Sequence, residues 1–203
     1  MKSMNKFKVS AVFAICTLLQ VNDTLVAKTT EGMNSMTMID DLKVASGDIN
    51  WPPGYSSRTA DIFAHNEILI NAPCERVWKR IVAAKEWDRW YPNARDVRFD
   101  GSASLGLGTI FTWKTFGLSV TSRVEEFVPG QRLGWTGAVG DKPPAFFHTW
   151  LLSPAGAGCA VITEEVGMGL DAKSLREANE GLLHRGHDLW LATLKWASED
   201  MQD

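Results

Sequence analysis

The second half of the chain alternates short strand-like segments with glycine or proline turns and then ends in one long amphipathic stretch. The segments are RDVRFDG, GTIFTWKTF, LSVTSRVEEFVPG, QRLGWTG, AFFHTWLLSP and CAVITEEVGMG. Because they follow one another through short turns, they predict an antiparallel, meander-like sheet. Asp171 to about Asp200 predicts a long helix. Its apolar side comprises Leu175, Leu182, Leu189 and Trp196 at seven-residue intervals, with Leu183, Gly186, Trp190, Thr193, Leu194 and Ala197 beside them.

The stretch before this meander predicts one further strand and two short helices. IFAHNEILIN has the composition of a strand. Pro73 then begins a helix, because proline lacks an N–H and is tolerated in the first helical turn. Val77, Trp78 and Ile81 give that helix one apolar face. The second helical segment, EWDRWYPN, ends at Pro92.

Together these elements predict an α+β fold. A curved antiparallel sheet of about six to seven strands has one face to cover, and only the C-terminal helix is long enough to cover it. A strongly curved sheet cannot close tightly on a single helix. We therefore expect a cavity between the sheet and this helix, and we expect the functional site to be there.

The N-terminus has the pattern of a secretory signal peptide. Three lysines precede an apolar run from Val9 to Val21, and Ala27 ends an acceptable cleavage site. The alternative is a membrane anchor, but a helix of 13 residues would span only ~20 Å of the ~30 Å hydrocarbon core. We predict that residues 1–27 are removed, that the protein is secreted or periplasmic, and that it has no stable membrane span.

Composition limits the partners of the mature chain. Removing residues 1–27 takes three lysines and one aspartate from the 21 basic and 24 acidic side chains and leaves a net charge of −5. This charge argues against a nucleic-acid partner. Residues 28–61 form an N-terminal extension, in which we expect a poorly ordered leader or a short helix, with Trp51 and Tyr55 packing against the domain at 62–200. The oligomeric state stays open.

Three stretches carry a resemblance to a known family. NEILINAPCERVWKRIVAAKEWDRWYPN, LGLGTIFTWKTFGLSVTSRVEEFVPGQRLGWTG and HTWLLSPAGAGCAVITEEVGMG together resemble the START-like superfamily, also called the SRPBCC or polyketide cyclase-like group. The resemblance implies a helix-grip fold over roughly residues 62–200. It does not imply one activity, because members bind lipids, sterols, polyketides, plant hormones or aromatic compounds, and others catalyse cyclisation, dehydration or lyase reactions.

The resemblance also bears on the two cysteines of the mature chain. In helix-grip domains the first strand lies antiparallel to the last, which places Cys74 and Cys159 at the same end of the sheet. An exported chain meets an oxidising compartment, where such a pair forms a disulfide if the Cα atoms are about 4.4–6.8 Å apart. We predict this disulfide; the alternative is two buried free thiols.

Aromatic residues are the candidate ligand-binding residues. Trp87, Trp90 and Tyr91 follow the first helix, where this fold usually admits its ligand, and we expect them at the cavity rim. The candidates for the cavity walls are Trp113, Trp135 and Trp150 on strands and Trp190 on the long helix. The alternative for each of these tryptophans is a packing role in the core.

His148, Glu164 and His187 are the candidate catalytic residues. If the hairpin FFHTWLLSPAGAGCAVITEEV turns symmetrically about Gly156, His148 lies opposite Glu164 and the two can form an acid/base pair. A shift of one residue would replace Glu164 by Glu165. His187 lies at the edge of the apolar stripe of the last helix and can reach the cavity. The alternative is that these histidines are structural.

The sequence contains no short metal-binding spacing such as H-x-x-x-H or C-x-x-C and no nucleotide-binding fingerprint. We therefore expect neither a metal nor a cofactor. The leading hypothesis is an exported protein that binds a small apolar, aromatic or lipid-like molecule in the cavity. The alternative hypothesis is an enzyme of the cyclase, dehydratase or lyase type that uses His148 and a glutamate in the same cavity.

Overall fold

The computed structural model describes residues 36–101, 103–140 and 142–200. These residues belong to one compact unit. The predicted signal peptide, residues 1–27, lies outside the described residues. Within the described ranges, no helix combines the length and the apolar character that crossing a membrane requires.

Seven antiparallel strands form one sheet. Their bounds are β1 Ile62–Ile70, β2 Arg95–Arg98, β3 Ile110–Thr115, β4 Leu118–Val128, β5 Arg132–Val139, β6 Phe146–Ala155 and β7 Gly158–Gly167. The order across the sheet is β1-β7-β6-β5-β4-β3-β2. Strands β2 to β7 are therefore a meander, as the short turns predict, and β1 closes it by pairing with β7.

The inner face of the sheet is covered by helices. Two short helices follow β1: helix α2, Cys74–Val82, and a 3₁₀ helix, Ala84–Arg89. The C-terminal helix α4, Leu182–Glu199, packs against the sheet at β1. The main core contains residues from the strands, from these helices and from the loop that follows them. The architecture confirms the predicted α+β helix-grip fold.

The C-terminal helix differs from the prediction in two respects. A break at Glu180 and Gly181 divides it into α3, Leu170–Asn179, and α4. The seven-residue seam is also not the buried face, because Leu189 and Trp196 are largely exposed. The buried residues of α4 instead follow the 3.6-residue period of a straight helix and comprise Leu183, Gly186, His187, Trp190, Leu191, Leu194, Ala197 and Ser198.

The N-terminal extension packs on the outer face of the sheet. Helix α1, Met38–Val44, begins with a capping box formed by Thr37 and Asp40. Further along, Trp51 makes edge-to-face contacts with two outer-face side chains, Phe63 and Phe147. The extension therefore covers apolar surface that would otherwise be exposed, so β1, β6 and β7 are covered on both faces.

A disulfide joins Cys74 at the start of α2 to Cys159 at the start of β7, with a Cα–Cα distance of 4.9 Å. Cys159 pairs with Ile70, the last residue of β1. The bond therefore links α2 to β7. It lies at the end of the sheet that the family resemblance predicted.

Candidate functional site

A cavity of about 70 Å³ lies between the inner face of the sheet and helix α4. Its apolar lining includes Trp113, Trp135, Trp190 and Phe116. The volume is well below the roughly 300–1,000 Å³ of pockets that hold drug-sized ligands. A compact molecule with a single ring matches this size, whereas a sterol or a long acyl chain does not.

Tyr91 and Trp190 form the best-defined part of the cavity wall. Their rings stack with centroids 4.3 Å apart and an interplanar angle of 8°. The hydroxyl of Tyr91 accepts a hydrogen bond from Asn93 Nδ2 at 3.1 Å. Burial raises the pKa of Tyr91, so this phenol stays neutral at physiological pH. The wall is thus a rigid, uncharged aromatic surface.

Three of the predicted ligand-binding tryptophans lie outside the cavity lining. Trp87 is fully buried, donates its indole N–H to the carbonyl of Ile81 at 2.9 Å, and packs against Trp135 and Trp190. Trp90 and Trp150 are buried as well. The placement of Trp87 and Trp90 at a cavity rim is therefore corrected, because both side chains are buried and pack in the main core.

The register of the β6–β7 hairpin corrects the predicted partner of His148. Ala155 pairs with Gly158, so the turn contains two residues and is not centred on Gly156. Gly156 has φ 61°, which suits the first central position of a type II′ turn. Consequently His148 lies opposite Glu165, and it is Glu165 that lines the cavity beside His148.

Glu164 points to the outer face of the sheet. Its Oε1 lies 2.7 Å from Nδ1 of His65 and accepts a hydrogen bond from the backbone N–H of Ser46 at 2.6 Å. Glu164 is fully buried there, beneath the N-terminal extension. It anchors the extension and makes no contact with the cavity.

His187 reaches the cavity, and its hydrogen bonds define which ring nitrogen carries a proton. The amide of Asn66 donates to the carbonyl of His184 at 3.1 Å and to Asp188 Oδ1 at 2.8 Å, two groups that only accept. This orients the Asn66 oxygen towards Nδ1 of His187, 3.2 Å away, so Nδ1 donates. Nε2 of His187 lies 3.0 Å from Glu165 Oε2, a contact that also requires a proton, carried by the imidazole or by the carboxyl group.

His148 is held by a second chain of hydrogen bonds. The hydroxyl of Thr163 donates to the carbonyl of Thr149 at 3.1 Å, so it accepts from Nε2 of His148 at 2.7 Å. Nδ1 therefore keeps its lone pair and has no hydrogen-bond partner among the described residues. Burial, with a smaller contribution from nearby His187, holds the pKa of His148 well below its ordinary value, which keeps the ring neutral.

His148, Glu165 and His187 form the main polar cluster of an otherwise aromatic cavity. The rings of His148 and His187 have centroids 4.6 Å apart. Each of the three residues offers one potential ligand atom, and these atoms all lie within 4.8 Å of one another. The cluster therefore joins side chains from β6, β7 and α4, and it can bind a polar group of a ligand or an ion.

The mouth of the cavity is bordered by the tip of the β3–β4 hairpin. Thr115 pairs with Leu118 across a two-residue turn in which Phe116 has φ 50° and Gly117 φ 75°, the signs that a type I′ turn requires. The backbone N–H of Phe116 donates to Asn93 Oδ1 at 2.8 Å. This bond fixes the hairpin tip and directs the phenyl ring towards α4.

The family model described as "Polyketide cyclase / dehydrase and lipid transport" matches residues 64–192, which include the whole polar cluster. The chain belongs to this family. Membership establishes the helix-grip fold and a family of ligand-binding proteins, and it leaves the ligand open. No curated protein matches the chain significantly.

Several solved structures share the fold. The hypothetical protein jhp0584 from Helicobacter pylori is 25% identical, with a TM-score of 0.69 over 76% of this chain and 98% of that one. CV1439 from Chromobacterium violaceum is 19% identical, with a TM-score of 0.52 over 68% and 98% of the chains. Aha1 from Colwellia psychrerythraea, solved as a dimer, is 16% identical, with a TM-score of 0.53 over 70% and 99%. The last two likenesses show the fold alone.

Sequence reasoning missed Asn66 and Thr163, the residues that orient the two cavity histidines. Both are recognisable in retrospect from strand alternation: Asn66 pairs with Thr163 on neighbouring strands, so their side chains lie on the same inner face. A polar pair on the inner face of an apolar sheet indicates a buried hydrogen-bond network. That signal was present in the sequence, but it depended on knowing which strands are neighbours.

Proposed function

We propose that this protein binds a small aromatic molecule in the cavity between the sheet and α4. The observation that carries the proposal is the lining itself, in which indole and phenyl rings surround a space of about 70 Å³ with one polar end. Flat, polarisable walls favour a ring-shaped ligand. The small volume argues for one ring and against the lipid-like ligand that the sequence left open.

A matched pair of variants on β5 tests this proposal. Gly137 lines the cavity, and a Cβ added there meets only Phe146 at 3.5 Å and Val120 at 3.7 Å, which are ordinary contacts. Gly137→Leu should therefore fold and place its side chain in the cavity. Thr136→Leu, at the preceding residue of the same strand, adds bulk on the opposite face and is the control.

Toluene, phenol and octanoic acid are suitable probes, and the fluorescence of the lining tryptophans and isothermal titration calorimetry report binding. We expect the two single-ring compounds to bind the unaltered protein and the Thr136→Leu variant, and we expect Gly137→Leu to abolish their binding. Octanoic acid should bind weakly or not at all. Absence of binding by every probe, or equal binding to Gly137→Leu, would refute the proposal.

We also propose that the protein is exported. The charged and apolar pattern of residues 1–27 supports export, and the Cys74–Cys159 disulfide is of the kind that persists in oxidising compartments. The N-terminal sequence of the protein recovered from its producing cells tests this. A chain that begins near residue 28 and lies outside the cytoplasm is expected, and an unprocessed cytoplasmic chain would contradict it.

An enzyme of the cyclase, dehydratase or lyase type is the second candidate. It is favoured by the polar cluster of His148, Glu165 and His187, because a carrier of an apolar ring has little need for three ionisable groups in its cavity. Mass spectrometry of the compound that co-purifies with the protein separates the two functions. A carrier retains its compound unchanged, whereas an enzyme converts it and a His148→Ala variant retains binding without conversion.

A further inference from the structure

We propose that His148, Glu165 and His187 bind a divalent transition-metal ion of the zinc type at the polar end of the cavity. Two imidazoles and one carboxylate are a ligand set that suits such ions. Each residue offers one ligand atom, and these atoms lie within 4.8 Å of one another. The inference does not depend on the identity of the organic ligand. Short spacing motifs could not indicate this site, because each ligand comes from a different element.

The spacing of the ligand atoms is close to that of a metal site. Atoms that bind tetrahedral zinc at about 2.0–2.1 Å lie roughly 3.4 Å apart. Nε2 of His187 and Oε2 of Glu165 are already 3.0 Å apart. His148 supplies the more distant ligand atom, up to 4.8 Å from the others, so it would have to approach by as much as about 1.4 Å.

The surrounding hydrogen bonds fix the orientation of both imidazole rings. A metal-binding histidine almost always donates its other ring N–H to an oxygen, which fixes the tautomer. His187 does so through Nδ1 to Asn66, and His148 does so through Nε2 to Thr163. Nε2 of His187 and Nδ1 of His148 are therefore the nitrogens left for an ion, and a bound ion would displace the proton that His187 Nε2 shares with Glu165 Oε2. Two independent networks that produce the same result are the strongest support for the site.

Charge and access also fit a cation. Glu165 supplies the negative charge, and Asp188 adds a second carboxylate behind Asn66. Three protein ligands leave a further coordination position on the cavity side, which is the arrangement of sites where a metal contacts a small molecule.

The outer face of the sheet offers a matched control. His65 and Glu164 are a buried histidine–glutamate pair 2.7 Å apart, on the same two strands that carry Asn66 and Glu165. Among the described residues, this pair has no second histidine that could complete a metal site. Glu164→Gln therefore changes a carboxylate next to Glu165 in the sequence without touching the cluster in the cavity.

Titration of chelator-treated, tag-free protein with Zn²⁺ tests the site by calorimetry, and the visible absorption of bound Co²⁺ reports its geometry. We expect one ion for each chain. Glu165→Gln and His187→Gln should abolish saturable binding, whereas Glu164→Gln should leave it unchanged. Thr163→Val, which removes the acceptor that orients His148, should weaken binding by about 10–100-fold.

The melting temperature, measured with and without Zn²⁺, shows whether each variant is folded and whether it binds the ion. Zn²⁺ should raise the melting temperature of the unaltered protein and of Glu164→Gln, and it should leave that of Glu165→Gln unchanged. The proposal is overturned if the unaltered protein binds neither Zn²⁺ nor Co²⁺ saturably. It is also overturned if folded Glu165→Gln binds Zn²⁺ as tightly as the unaltered protein does.

Discussion

The phenyl ring of Phe116 rests directly on Gly186 of helix α4. A Cβ added at position 186 would overlap the ring, with its Cζ atom as the nearest neighbour. Phe116 is part of the cavity lining. The absence of a side chain at position 186 therefore allows the tip of the β3–β4 hairpin to close against the helix.

Gly186→Ala should displace the ring of Phe116 and open the mouth. Alanine in the middle of a helix gains about 1 kcal/mol over glycine, but overpacking costs about 1–3 kcal/mol. We expect a net loss of about 1 kcal/mol in the free energy of unfolding, together with faster dissociation of toluene. Urea denaturation measures the first quantity, and stopped-flow tryptophan fluorescence measures the second.

The double variant Gly186→Ala/Phe116→Ala is the control for this change. Because the ring that overlaps the new methyl group is gone, the two substitutions should be strongly non-additive, and adding Gly186→Ala to Phe116→Ala should not destabilise the protein. Unchanged toluene dissociation in the single variant would show that this contact does not control the mouth.

Removal of the disulfide by Cys74→Ser/Cys159→Ser should lower the free energy of unfolding by about 4 kcal/mol. The bond closes a loop between residues separated by 85 positions, and the unfolded chain gains entropy when that loop is opened. Urea denaturation with and without a reducing agent measures the effect. The reducing agent should destabilise the unaltered protein and should have no effect on the double variant, whose response is the internal control.

The topology of the sheet could be predicted from the sequence because short turns force consecutive strands to be neighbours. The break in the C-terminal helix could not, because the apolar repeat continues across Glu180 and Gly181, and one glycine does not by itself end a helix. The seven-residue spacing of Leu189 and Trp196 was also misleading. An unsupercoiled helix drifts relative to such a repeat, so these two side chains turn out towards solvent.

The site was harder to predict because its composition depends on register. Whether Gly156 is the centre of its turn or the first of two turn residues decides which of Glu164 and Glu165 faces the cavity. His148 and His187 could be chosen as candidates from their apolar surroundings alone. Their grouping with Glu165, however, requires the packing of α4 on the sheet, which no local pattern contains.

Trp51→Ala should destabilise the domain without affecting the cavity. Trp51 packs edge-to-face on Phe63 and Phe147, with ring centroids 6.4 and 6.2 Å apart. Because the indole is partly buried, we expect a loss of about 2 kcal/mol and unchanged toluene affinity. Tyr55→Phe, which removes only the hydroxyl that donates to the carbonyl of Pro144, is the milder control. A loss of toluene affinity in Trp51→Ala would show that the outer covering also shapes the cavity.

Two adjacent aspartates of α1 should give opposite dependences of stability on pH. Asp41 is buried, with Oδ1 2.8 Å from Nδ1 of His184. Burial raises the pKa of Asp41 above its ordinary 3.8, although His184 and His65 partly oppose this shift. Asp40 is different, because hydrogen bonds from Lys43 and then Thr37 lower its pKa to about 2.

The direction of each pH dependence follows from whether the folded state favours the protonated or the ionised form of the carboxyl group. The raised pKa of Asp41 stabilises the folded protein fully below pH 3.8, and this contribution is lost as the pH rises through the raised value. The lowered pKa of Asp40 stabilises the folded protein above pH 3.8, and this contribution is lost as the pH falls towards about 2. Asp41→Asn should therefore become more stable relative to the unaltered protein as the pH increases towards neutrality. Asp40→Asn should be less stable than the unaltered protein above pH 3.8 and equal to it near the acid limit.

Urea denaturation from about pH 2 to neutral pH gives the free energy of unfolding of each variant and of the unaltered protein. The two differences from the unaltered protein are then followed as the pH changes. Only the change of each difference with pH is compared, so a pH-independent effect of either substitution on α1 does not enter the comparison. If the two differences change in the same direction with pH, burial is not the main influence on Asp41, and the packing of α1 against His184 is looser than the 2.8 Å contact implies.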